Sequence, residues 1–224
     1  MKNKMKTFVL AATVAMALAA LPAAASAGEP EIHCGGAVCG AFTTTSGATA
    51  LSVANGTTIN CTSTTGAGQY TTKKTGTVAL MYHGCFTPTF FNTACTSPGQ
   101  PVGTIKTNSS VFHNIYESVG KTTPGILTTA PAIPLTFTCG GFVHVEVTGS
   151  IIGDLESPGC GGSSKELKLS LAATAHGQQQ YKQVTTTGTI FDLDVKLNGG
   201  AAQTAAVTGT GTMNFGAAAT ITCV

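Results

Sequence analysis

Acids and histidines two positions apart are the residues of this chain best suited to chemistry. His144 and Glu146 stand at alternate positions in FVHVEVT, and alternate positions of a strand share a face. A carboxylate beside an imidazole favours the charged ring, so the pair suits a general acid and base or two metal ligands. Asp192 and Asp194 in FDLDVKL repeat the pattern and would suit calcium, or half of a glycosidase carboxylate pair. No Asp-rich loop with ligand spacing accompanies them, and Lys196 on the same face offers one of them a partner. Asp154 and Glu156 in IIGDLESPGCGG read as loop acids beside a disulfide. Loops on rigid scaffolds often carry function, while turn acids commonly bond to their own backbone. The preferred reading is solvated surface charge for the first two pairs and turn acids bonded to their own backbone for the third. His83, His113 and His176 are isolated. Serines occur without a G-x-S-x-G elbow or a nucleophile–base–orienter set, so no catalytic residue, metal ligand or cofactor is assigned. The loop Phe86–Ala94, with Phe86, Phe90 and Phe91 between two cysteines, is the most aromatic one. Phe90 and Phe91 are its candidate binding residues.

The elements that must hold these residues are strands. After residue 27 the chain carries 37 threonines, and β-branched side chains fit a pleated surface. Apolar and polar residues alternate over Thr75–His83, Phe142–Thr148, Glu166–Ala172 and Thr189–Leu197, the period of a half-buried strand. Val143, Val145 and Val147 form the face expected to be buried. Further strands are expected at Ala48–Val53, Val102–Thr107, Val111–Tyr116, Gly125–Thr129, Leu135–Cys139, Gln179–Val184, Gln203–Thr208 and Ala219–Cys223. Asn198-Gly199-Gly200 between two of these runs is a hairpin signal. Many short strands at near-regular spacing predict an all-β fold, a single disulfide-stapled β-sandwich or β-barrel of about 10–12 strands.

Lys2, Lys4 and Lys6, an apolar run from Phe8 to Leu21, and Ala25-Ser26-Ala27 have the pattern of a cleaved secretory signal. The expected organisation is a signal peptide over 1–27, an N-terminal arm over 28–53 and an all-β domain over 54–224, with no membrane span after cleavage. Removing the leader takes three of eleven lysines and leaves eight against nine acids, turning a formal charge of +2 into −1. There is no arginine, so neither a basic patch for nucleic acid nor a bidentate phosphate clamp is at hand. All eight cysteines follow the leader, and an even count behind an export signal predicts four disulfides. Local closure favours Cys34–Cys39, Cys85–Cys95 and Cys139–Cys160, leaving Cys61 for Cys223.

Residues 59–85 (INCTSTTGAGQYTTKKTGTVALMYHGC), 94–107 (ACTSPGQPVGTIKT) and the central TCGG…VTGSIIG resemble a group of secreted Thr/Gly-rich β proteins of Gram-positive bacteria. The resemblance implies secretion and a β fold, and carries over no functional residue. With no catalytic constellation, 9% charged residues and an aromatic loop around Phe90 and Phe91, the expected function is that of a non-enzymatic extracellular or cell-wall-associated protein binding a surface component or small ligand. Two alternatives stand beside it. One is a secreted hydrolase using two carboxylates among Glu146, Asp154, Glu156, Asp192 and Asp194. The other is a β-barrel carrier of an apolar ligand, with Phe191, Leu193 and Val195 turned towards a cavity.

Overall fold

A computed structural model describes residues 28–117, 123–131, 133–174, 177–181 and 188–223. The expected leader and His176 lie outside the described residues. The chain is all-β. Its N-terminal part forms β1 (Glu31–Cys34), β2 (Ala37–Val38), β3 (Ala41–Ser46), β4 (Thr49–Val53), β5 (Thr58–Cys61), β6 (Ser63–Tyr70) and β7 (Thr75–His83). There follow β8 (Phe86–Thr87), a 3-10 turn at Pro88–Phe90, β9 (Thr93–Thr96), β10 (Ile105–Lys106), β11 (Ser110–Tyr116), β12 (Pro124–Thr129) and β13 (Leu135–Cys139). The last part holds β14 (Val143–Ser157), β15 (Ser163–Leu171), β16 (Ala173–Thr174), β17 (Gln178–Gln179), β18 (Leu193–Leu197) and β19 (Gln203–Thr222).

The nineteen strands among the described residues exceed the 10–12 expected, for two reasons. Several are two-residue ladders that leave no periodicity to read. The stretch 28–53, expected as an arm, is instead built into the sheet: β1 lies antiparallel to the end of β19 and β3 lies between β19 and β6. In the other direction, two expected strands, at 203–208 and 219–223, are parts of the single twenty-residue β19.

Seventeen strands are connected in one sheet, and β16 with β17 forms a separate ribbon. Following the antiparallel pairings gives two circuits. One runs β19–β3–β6–β7–β11–β12–β14–β15 and back to β19. The other runs β14–β18–β19–β4–β5–β8–β9–β13 and back to β14. The long strands β14 and β19 belong to both. They change circuit at Gly149 (φ 92°) and Gly209 (φ 150°), backbone conformations that residues with a Cβ rarely adopt. A Cβ on Gly149 would also collide with the Asp192 carbonyl oxygen.

Each circuit has its own core. The first packs Phe42, Tyr70, Phe112 and Phe215 with Ile32, Leu167 and Ile221. Asn114, fully buried, accepts from the Tyr70 hydroxyl at 3.1 Å and donates through Nδ2 to the Pro30 and Lys73 carbonyls at 3.2 and 3.1 Å. The second core packs the expected valine face of β14 against Ile59, Phe137, Leu193 and Val195. The Asn198-Gly199 turn joins β18 to β19 as expected. Both residues have positive φ (50° and 71°), and Gly200 N–H donates to the Leu197 carbonyl at 2.9 Å.

All eight cysteines are paired: Cys34–Cys39, Cys61–Cys85, Cys95–Cys139 and Cys160–Cys223. Only Cys34–Cys39 matches the local-closure expectation. Cys85–Cys95, Cys139–Cys160 and Cys61–Cys223 do not form, because strand neighbourhood outranks nearness along the chain. Cys95 and Cys139 are direct register partners of β9 and β13, with Cα atoms 4.0 Å apart, the closeness of a non-hydrogen-bonded antiparallel pair. Asn60 opposes Phe86, which brings Cys61 to Cys85, also at 4.0 Å.

Candidate functional site

The acids and histidine singled out from sequence do not gather into one site. His144 is exposed on β14, with its Nδ1 3.3 Å from the Thr138 hydroxyl and its N–H donated to Asn198 Oδ1 at 2.8 Å. Glu146 accepts from Lys196 Nζ at 3.0 Å across the β14–β18 ladder, both side chains about two-fifths exposed. Lys196 thus serves Glu146. Such exposed pairs contribute about 1 kcal/mol or less. Asp192 lies just before β18, where its carbonyl accepts from Ser150 N–H at 2.9 Å, and Asp194 is half-buried opposite Thr148 and Thr204. Phe90 packs against the second core, and Phe91, in a left-handed conformation, is 94% exposed at the tip of the turn. Among the described residues no group of three or more His, Cys, Asp or Glu is placed to hold a metal ion.

Asp154 and Glu156 are not in a loop. β14 runs on to Ser157 and carries both, because Gly149 bends the strand without ending it. Their neighbour is Glu117, which the sequence reading passed over. Asp154 opposes Gly125 on β12, and the space where a Gly125 side chain would stand is filled by the Glu117 carboxylate. Both Glu117 oxygens and Asp154 Oδ1 are buried without a hydrogen-bond partner. Burial first, then the charge of Asp154, pushes Glu117 up to about 8, so it is mostly protonated at neutral pH. Asp154 is raised by burial and by Glu156. Glu117 has no acid two positions away in NIYESVG; the cross-strand glycine that admits its carboxylate is invisible without the register.

The larger feature lies inside. Where the two circuits meet, a cavity of about 220 Å³ separates the cores. Phe42, Phe112 and Met213 wall it from one core, and Ile59, Phe137 and Leu193 from the other. Leu51, Leu80, Leu169 and Val207 also line it and keep residual accessibility although they belong to the interior. That surface faces the void in place of a packing partner. Among the described residues no charged side chain lines it, and Asn108, between β10 and β11, is the one exposed lining residue. Asn108 therefore marks the mouth.

Part of the polar lining is occupied by the protein itself. The Thr107 hydroxyl accepts from Leu80 N–H at 2.8 Å, and Ser150 Oγ donates to Thr129 Oγ1 at 3.2 Å. Tyr82, Thr44, Thr49 and Thr128 line the cavity with hydroxyls that have no hydrogen-bond partner among the described residues, and burial raises the Tyr82 phenol to about 12. Of the three residues that the carrier alternative turned towards a cavity, Phe191 packs in a satellite cluster with Ile115 and Tyr181, Val195 is fully buried, and only Leu193 lines the void. Comparisons with protein families, with curated proteins and with solved structures return no match.

Proposed function

We propose that this chain is an exported, non-enzymatic binding protein that holds a small apolar molecule between its two cores. One observation carries the reading: a cavity of about 220 Å³, with no charged side chain among its described lining residues, inside an otherwise tightly paired sheet. Protein interiors ordinarily leave few voids larger than a water molecule, and a lining without charges offers water few partners. An apolar cavity of about 150 Å³ stays dry and takes up benzene. By that scale this one suits a ligand of about nine non-hydrogen atoms. We read each pairing circuit as a closed barrel, so that the cavity is the join between two barrels sharing β14 and β19. Four disulfides support export, since such bonds persist in oxidising compartments. No helix among the described residues is long and apolar enough to cross a membrane.

The paired carboxylates support a hydrolase less well. Glu117 and Asp154 do meet, but both oxygens of Glu117 are sealed from solvent, which leaves a substrate bond no approach to the acid. Binding of a surface component through Phe91 is a second reading, and replacing Phe91 by Ser would abolish retention on cell-wall material if it held. The cavity reading is tested by native mass spectrometry of the chain recovered under non-denaturing conditions. Extra mass of about 100–200 Da that leaves on denaturation is the expected result. A bare mass, together with no uptake of small apolar probes, would overturn it.

A further inference from the structure

We propose that four of the cysteines form an internal thiol–disulfide relay, in which reduction of one bridge opens two. Strand order puts them side by side. Cys61 faces Cys85 next to the Asn60–Phe86 pair, Cys85 faces Cys95 next to the Phe86–Ala94 pair, and Cys95 faces Cys139 directly. Residues opposed across a ladder share a face, so the four stand in one row across β5, β8, β9 and β13. All are buried in the second core. Cys61–Cys85 and Cys95–Cys139 close the outer gaps of the row, and the middle gap is also bridgeable. There Cys95 N–H donates to the Cys85 carbonyl at 2.9 Å. Antiparallel partners bonded in this way have Cα atoms about 5.5 Å apart, within the reach of a disulfide. The bond can therefore migrate along the row without a change of strand order. Cys61, 7% exposed against 1% or less for the other three, is where an external dithiol enters. The reagent's thiolate bonds to the Cys61 sulfur, and Cys85 leaves as a thiolate. Cys85 attacks Cys95, forming Cys85–Cys95 and breaking Cys95–Cys139, and Cys139 leaves to take a proton. Adjacency makes this step effectively unimolecular. The second thiol of the reagent then displaces Cys61 and closes the reagent's own disulfide. The dithiol has given up two electrons and two protons, and the protein ends with thiols at Cys61 and Cys139. Bridges between cysteines 24 and 44 residues apart are replaced by one that closes only the 86–94 turn. A single reduction thus unties β5 from the start of β8, and β9 from β13.

The first test needs no reductant. Cys61→Ala leaves Cys85 as a thiol beside the Cys95–Cys139 bridge. The variant, its fold confirmed by an amide NMR spectrum, is denatured in acid to stop exchange, labelled with N-ethylmaleimide and mapped without reduction. The expected result is label on Cys139, with Cys85 linked to Cys95. Label on Cys85 with Cys95–Cys139 intact would overturn the relay. Should the variant not fold, the wild-type mature chain decides: it is treated in its folded state with limiting dithiothreitol, then quenched, labelled and mapped in the same way. Among chains that have lost Cys61–Cys85, the relay predicts label on Cys61 and Cys139 and a Cys85–Cys95 link. Label on Cys61 and Cys85, or row bridges that resist dithiothreitol until the chain unfolds, would contradict it.

Discussion

Glu117 shows how one side chain sets a pH dependence. An unfolded glutamate titrates near 4.5 and the folded one near 8. Between those values the folded chain holds a proton that the unfolded chain has released, so stability falls as pH rises through this window. Below it both states are protonated and the site costs no charge burial. Glu117→Gln removes the titration. It is expected to raise unfolding free energy by about 2 kcal/mol at pH 8, discounted for screening around the rest of the half-buried side chain, and by almost nothing at pH 4. Urea unfolding of both proteins at the two pH values checks this; an equal change at each would contradict it. At this scale the sequence was only half legible. His144, Glu146 and Asp194 sit on strands as alternation implied, whereas the contact of Glu117 with Asp154 depends on a glycine across the ladder.

At the scale of strands, phenylalanines fill the gaps left by glycines. Phe42 opposes Gly68 and Phe112 opposes Gly76, and a Cβ at either glycine would meet the phenyl ring. Gly68→Ala is therefore expected to cost about 2–4 kcal/mol through displacement of a core ring. Gly216→Ala, where a Cβ would meet nothing within 4 Å, should change stability by less than about 0.5 kcal/mol. Equal midpoints in denaturant would refute the packing argument. These glycines also explain what the pattern hid. β6, STTGAGQY, has so little hydrophobic contrast that its period is lost, while β7 and β13 were read at their observed bounds. Gly149 and Gly209 looked like strand ends and are bends. The cysteine bridges follow the same lesson: nearness in the ladder, not along the chain, chose the partners. Non-reduced peptide mapping should recover Cys61–Cys85, Cys95–Cys139 and Cys160–Cys223. Cys95→Ala with Cys139→Ala should cost about 4 kcal/mol in the chain-entropy model for a loop of this size, and an unchanged midpoint would contradict it.

For the whole molecule, two cores joined end to end by β14 and β19 leave a void where neither core reaches the other. A leucine in an alternating run reads alike whether it packs against a neighbour or faces an empty space. All-β class, disulfide count and the buried valine face were thus legible, while the cavity needed the strand order. The most direct measurement is thermal unfolding of the mature chain with and without saturating α-methylstyrene, beside the cavity-filling variant Ala50→Leu. A ligand that binds only the folded state at about 100 times its Kd adds about 2.7 kcal/mol. The account predicts a raised midpoint for the wild type and little or none for Ala50→Leu, whose added side chain occupies the lining. An unmoved wild-type midpoint, or an equal rise in both proteins, would contradict a ligand held between the two cores.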